Sequence, residues 1–163
     1  QPQGQQTSGP ELLEQLEAAQ MALLALADED ALAYQEVVQA LRLPRTTVAE
    51  RDHRQHAVQK AFLIASGPPL ALARWGTKLL EWALILVRQG DRVILADVGV
   101  MGYLAQAVIQ GGLVNVVANL AMVPPQDPQV QACQREAEQL ATTLAIDGPL
   151  FQQLLQQRLN EKG

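Results

Sequence analysis

A chain of 163 residues is long enough for one domain with a real core. Apolar residues make up 48% of it but aromatics only 4%, so the core must be built of Leu, Ala, Val and Ile, which with abundant Gln and Glu favours helix over strand. The net charge of −5 argues against a general nucleic-acid binder, and the single Cys133 rules out an internal disulfide or a thiolate metal cluster.

The opening "QPQGQQTSGP" is polar and lacks the apolar stretch of a signal peptide, so residues 1–10 read as a tail or loop and 11–163 as the domain. The apolar runs are interrupted by Arg, Lys, Glu, Asp or Gln, so no membrane span is expected. The expectation is a soluble, cytoplasmic domain.

Pro10 before Glu11 is a sound helix start, and neither Gly nor Pro intervenes before Arg42. Leu16, Leu23, Ala27, Asp30, Tyr34, Val37 and Leu41 follow at steps of three, four or seven, which predicts a core-facing stripe. Asp30 sits on that stripe, where a buried carboxylate needs a partner or a use. It is either a residue turned toward solvent or an Arg, or a general acid/base or ligand anchor.

Thr47 with Glu50 three residues on forms a capping box for a second helix at about 48–65. Pro68-Pro69 restarts the chain, and a third helix runs from Leu70 to Gly90. "VILA" at 93–96 could be a short strand, but it has no partner. Asp97 reads as the N-cap of a fourth helix that Pro124-Pro125 ends. Asp127-Pro128 opens a fifth, which "DGP" at 147–149 breaks or kinks. The layout is all-α: a single up-and-down bundle of about five helices with short connections.

Within the fourth helix Asn115 and Asn119 lie four apart on one face among apolar residues, as buried amides that need partners. Gly99, Gly102, Gly111 and Gly112 cost helix stability and read as packing determinants, or as part of a subunit interface. His53 and His56 lack a third ligand, so no metal site is expected.

Four segments in this order resemble the formiminotetrahydrofolate cyclodeaminase / methenyltetrahydrofolate cyclohydrolase family. "LADEDALAYQEVVQALRLPR" is similar to its acidic D-x-D-A-x-A-(F/Y) motif followed by LP and a basic residue. "GPPLALA" resembles the segment that opens its next helix, and "QGDRVILADVGVMGYLA" its glycine–asparagine turn and serine–aspartate helix start. "NVVANL" matches its N-V-x-x-N-L. Three features depart from the family: nothing matches its glycine-rich P-G-G-G-S loop, Asp91 replaces the turn asparagine, and Ala96 replaces the serine before Asp97.

The resemblance implies an all-α homodimer that binds a tetrahydrofolate derivative as substrate and needs no metal or redox cofactor. By position, Asp30 matches the catalytic aspartate, while Arg45, Asp97, Asn115 and Asn119 match substrate-binding positions. The implied reaction is hydrolysis of 5,10-methenyltetrahydrofolate or deamination of 5-formiminotetrahydrofolate. The alternative is a non-catalytic helical dimer of the same fold, acting as a binding or scaffold protein.

Overall fold

In the computed structural model, which describes residues 9–161, the chain folds into five α-helices and one 3₁₀ turn. They are α1 (Gly9–Leu41), α2 (Val48–Ala65), α3 (Gly67–Gln89), α4 (Leu95–Leu120) and α5 (Pro128–Asn160), with the 3₁₀ turn at Arg92–Ile94. Gly9 and Pro10 already belong to α1, so the helix starts earlier than the sequence suggested. The remainder of the expected tail, residues 1–8, lies outside the described residues.

Local chemistry sets most of the other boundaries. The Thr47 hydroxyl accepts from the Glu50 amide at 3.2 Å, and the Glu50 carboxylate accepts from the Thr47 amide at 2.9 Å, completing the capping box. Those backbone donors, Thr47 first and then Thr46, hold the Glu50 carboxyl below the usual range. Ser66 alone joins α2 to α3; it is fully buried, and its hydroxyl donates to the Phe62 carbonyl at 2.9 Å. Pro68 and Pro69 occupy the first turn of α3, where a missing N–H leaves no helical bond unmade. The helix therefore begins three residues before Leu70.

One open reading is settled downstream and two expectations are corrected. "VILA", left open as a short strand without a partner, is helical, because the 3₁₀ turn leads straight into α4. The N-cap of α4 is Ile94; Asp97 sits inside the first turn, exposed, where its charge still favours the positive helix end. α5 runs through "DGP" without interruption, with Gly148 buried and Pro149 exposed. Asp127 caps α5 as anticipated, accepting from the Gln129 amide at 2.8 Å.

α3, α4 and α5 form the central core, built from Leu80, Leu84, Val87, Val98, Ile109 and Phe151. Glycines let α3 and α4 approach closely. A Cβ on Gly76 would fall 2.7 Å from Ile109 Cγ1, and one on Gly112 would fall 2.6 Å from the Pro69 carbonyl oxygen. Arg92–Leu120 is, by length and composition, apolar enough to cross a membrane, contrary to the sequence reading, which counted its glutamines as interruptions. In the fold it is the middle member of this core.

α1 and α2 lie against the core as a hairpin. The observed stripe on α1 is Leu12, Leu16, Ala19, Leu23, Leu26, Asp30, Ala33, Val37 and Ala40, at alternating steps of four and three. Ala27, Tyr34 and Leu41, placed on the stripe by sequence, are exposed. Cys133 is half-buried beside Leu140, and burial pushes its thiol pKa up.

Arginines from other elements satisfy the ends of three helices. Arg54 donates to Leu41 at the end of α1, at 3.0 Å, and Arg92 donates to Leu159 and Glu161 at the end of α5. Arg158 reaches the Val87, Arg88 and Gly90 carbonyls at the end of α3, at 2.8–2.9 Å. Those carbonyls have no helical donor of their own. Arg158→Ala is expected to destabilise the fold by about 2 kcal/mol, and Arg158→Lys to recover only part of this because an ammonium lacks the planar fork. Urea melts of the two variants measure the difference.

Arg74 on α3 and Glu136 on α5 form a two-pronged ion pair that is half-exposed. The Arg74 hydrogen bond is the main cause holding the Glu136 carboxyl below its usual pKa. A depressed carboxylate adds stability above its unfolded pKa and loses it as pH falls through the folded value. Glu136→Gln is therefore expected to cost about 0.2–1 kcal/mol at pH 7 and nothing measurable at pH 3. Denaturant midpoints at the two pH values check this.

Candidate active site

The stripe on α1 changes partners along its length. Its first half packs through Leu12, Leu16 and Ala19 on Trp75, Leu79 and Trp82 of α3. Its last third packs through Ala33, Val37 and Ala40 on Val58, Ala61 and Ala65 of α2. Between the two contacts, Leu23, Leu26, Ala27 and Asp30 face a cleft of about 250 Å³. Pro68, Pro69 and Leu72 of α3 and Asn115 and Asn119 of α4 form its other wall.

Asp30 thus lies on the apolar stripe yet is exposed, because the stripe opens there onto the cleft rather than onto a helix. No buried charge has to be compensated. Among the described residues no hydrogen bond engages its carboxylate.

The two asparagines are not both buried, as the sequence had suggested: Asn115 is exposed and Asn119 half-buried. Asn119 Nδ2 donates to the Ala65 carbonyl at 2.8 Å, tying α4 to the end of α2. Asn115 Nδ2 donates within its own helix to Gly111 at 3.1 Å. Both amides therefore keep their Oδ1 as an acceptor, and the cleft gathers three acceptor groups on apolar walls.

Arg45 is not in the cleft. It lines a separate hollow of about 360 Å³ with Arg51, Arg54, Gln55, Val58, Gln59 and Met122. Met122 lies in the turn after α4, three residues past Asn119 in sequence. Arg51 and Arg54 are engaged by carbonyls of the α1–α2 connection, which leaves Arg45 the uncommitted guanidinium of the three among the described residues.

Asp97 is also apart from the cleft, about 27 Å along α4 from Asn115 and about 33 Å from Asn119 at the helical rise. One chain therefore brings Asp30, Asn115 and Asn119 together and leaves Arg45 and Asp97 outside. Among the described residues, no three His, Cys, Asp or Glu side chains are placed to hold a metal ion. The apolar walls escaped the sequence reading. The Pro68-Pro69 pair was visible, but as punctuation rather than as a lining.

The formiminotransferase-cyclodeaminase family matches residues 4–139. The chain belongs to this family. Mouse formimidoyltransferase-cyclodeaminase is 32% identical over 109 residues, which are 67% of this chain and 20% of the mouse protein. A methenyltetrahydrofolate cyclohydrolase from Methylorubrum extorquens is 28% identical over 109 residues, 67% of this chain and 52% of that protein. The chain thus spans about a fifth of the first of these family members and about half of the second. The solved structure of formiminotetrahydrofolate cyclodeaminase from Thermotoga maritima superposes with a TM-score of 0.76 at 21% identity, covering 95% of this chain and 75% of that one. The cyclodeaminase fold is therefore the fold of this chain.

Proposed function

We propose that the protein is a one-carbon folate enzyme that works in the α1–α3–α4 cleft as a homodimer. It would hydrolyse 5,10-methenyltetrahydrofolate or release ammonia from 5-formiminotetrahydrofolate, the chemistries named in its relatives. The observation that carries this is the exposed, unengaged Asp30 carboxylate facing Asn115 and Asn119 across apolar walls.

In hydrolysis, water adds to the methenyl carbon and gives a proton to Asp30. The carbon–nitrogen bond then breaks, the new hydroxyl loses its proton as the carbonyl forms, and the departing ring nitrogen gains one. In deamination, the second folate nitrogen attacks the formimino carbon, Asp30 takes that nitrogen's proton, and a proton goes to the leaving ammonia. The asparagine oxygens suit the N–H donors at the edge of a pteridine ring, since unmatched donors at such a site cost affinity. Arg45 and its neighbours suit the carboxylates of the glutamate tail.

The test is loss of the methenyl chromophore in the presence of the purified protein, set against the spontaneous rate. No acceleration, from a protein that includes every natural N-terminal residue, would favour the binding or scaffold alternative.

A further inference from the structure

α2 passes into α3 through Ser66 alone, almost without a break. In a continuous helix the amides of residues 68 and 69 would bond the carbonyls of Ile64 and Ala65, four residues back. Both positions are proline, so neither carbonyl receives that donor. The flanking carbonyls keep theirs: Phe62 accepts from the Ser66 amide at 3.1 Å, and Ser66 from the Leu70 amide at 3.3 Å. Ala65 is buried, where an orphaned carbonyl is costly. Its donor comes instead from 54 residues away, the Asn119 Nδ2 at 2.8 Å.

Pro69 also sets where Asn119 stands. A Cβ at Gly112 would fall 2.6 Å from the Pro69 carbonyl oxygen, so the first turn of α3 rests directly on the α4 backbone. Two turns further along α4, Asn119 meets Ala65. Pro69 and Asn119 both line the cleft. With Nδ2 committed to Ala65, the amide has only its oxygen left to offer a ligand. Asn115 has no comparable anchor, because the Gly111 carbonyl it bonds is already served by a backbone amide within the helix.

We infer that Pro69 is a positioning residue for the cleft. By denying Ala65 its helical donor, it draws Asn119 Nδ2 onto that carbonyl and turns Oδ1 into the group presented to the ligand. The site therefore selects molecules that bring an N–H donor to Asn119 and rejects those that bring an acceptor or nothing. An unanchored amide could flip and serve either kind, and the discrimination would be lost. This deepens the proposed folate cleft and rests on it for the identity of the ligand, while the fixing of the amide stands without it.

The side-chain NH₂ of Asn119 in the full chain, followed by NMR, is expected to show one slowly exchanging proton in the wild type. Pro69→Ala gives residue 69 an N–H within reach of Ala65, so exchange of the Asn119 protons should quicken at least about fivefold. A slow backbone amide should appear at residue 69, with helical circular dichroism unchanged. Pro68→Ala restores a donor to Ile64 instead, so it should leave Asn119 exchange as in the wild type. In binding, the wild type should prefer folic acid to 2-desamino-2-methylfolic acid, which lacks the 2-amino donor, by at least about tenfold, and Pro69→Ala should cut this below about threefold. Unprotected Asn119 protons in the wild type, or unchanged exchange in Pro69→Ala, would overturn the inference. So would an equal preference in the two proteins. Failure of the wild type to bind either pteridine would defeat the folate reading alone, and the exchange rates would still decide the role of Pro69.

Discussion

Replacing Asp30 with asparagine is expected to lower methenyltetrahydrofolate turnover by about 10²–10⁴-fold, the range for loss of a positioned general acid/base. The same change should leave stability within about 0.5 kcal/mol of wild type, because Asp30 is exposed and no hydrogen bond among the described residues engages its carboxylate. That separation makes the variant informative: a large kinetic effect cannot be blamed on unfolding. Asparagine keeps the size and polarity of the side chain but cannot take a proton, so substrate should still bind. Asp28, two residues earlier, is also exposed but does not line the cleft, which makes Asp28→Asn the control for loss of negative charge on α1. Full activity in Asp30→Asn would sink the proposed chemistry. Equal losses in both variants would point to general electrostatics on α1 instead.

The same residue shows what was legible in the sequence and what was not. Periodicity put Asp30 on the inward stripe of α1, and the stripe does pass through it. Burial did not follow, because α1 leaves α3 and meets α2 on either side of that position, and the gap between two packing partners is a tertiary fact. Features that rest on a few adjacent residues were readable in advance: the Thr47–Glu50 box and the opening of α5 at Asp127-Pro128, whereas α3 takes in the paired prolines that its expected start at Leu70 had left outside. Asp97 was misplaced by one turn because the 3₁₀ turn at Arg92–Ile94 leads straight into α4, and its three residues carry too little pattern to separate from a strand. The arginine caps left no local signal at all, since Arg158 and the carbonyls it serves are about seventy residues apart. The cleft was legible only in part. Asn115 and Asn119 were marked by spacing, whereas Leu23, Leu26 and Leu72 look like any other core residues until the helices are assembled.

Gly102→Ala is expected to be the most damaging single-methyl change in the chain. The added Cβ would lie 2.1 Å from Phe151 Cζ and 2.3 Å from its Cε1, far inside van der Waals contact. Phe151 is fully buried, at 0% exposure, and its ring meets Tyr103 edge-on at 6.0 Å, so it cannot simply swing out to solvent. α4 must move away from α5 or Phe151 must leave its rotamer, and overpacking of this kind costs about 1–3 kcal/mol or more. For a domain of this size, each kcal/mol lowers Tm by about 2–4 °C. Gly111→Ala on the same helix supplies the contrast. Its Cβ would meet nothing within 4 Å, and alanine is the better helix former by about 1 kcal/mol, so the isolated chain should be neutral or slightly more stable. The decisive measurement is the double variant Gly102→Ala with Phe151→Leu. If the clash is with the ring, shortening Phe151 should recover part of what Gly102→Ala loses, although Phe151→Leu alone destabilises. Strict additivity of the two losses would show that the cost lies elsewhere in α4. The sign of that coupling therefore tests whether Gly102 is a packing determinant at all.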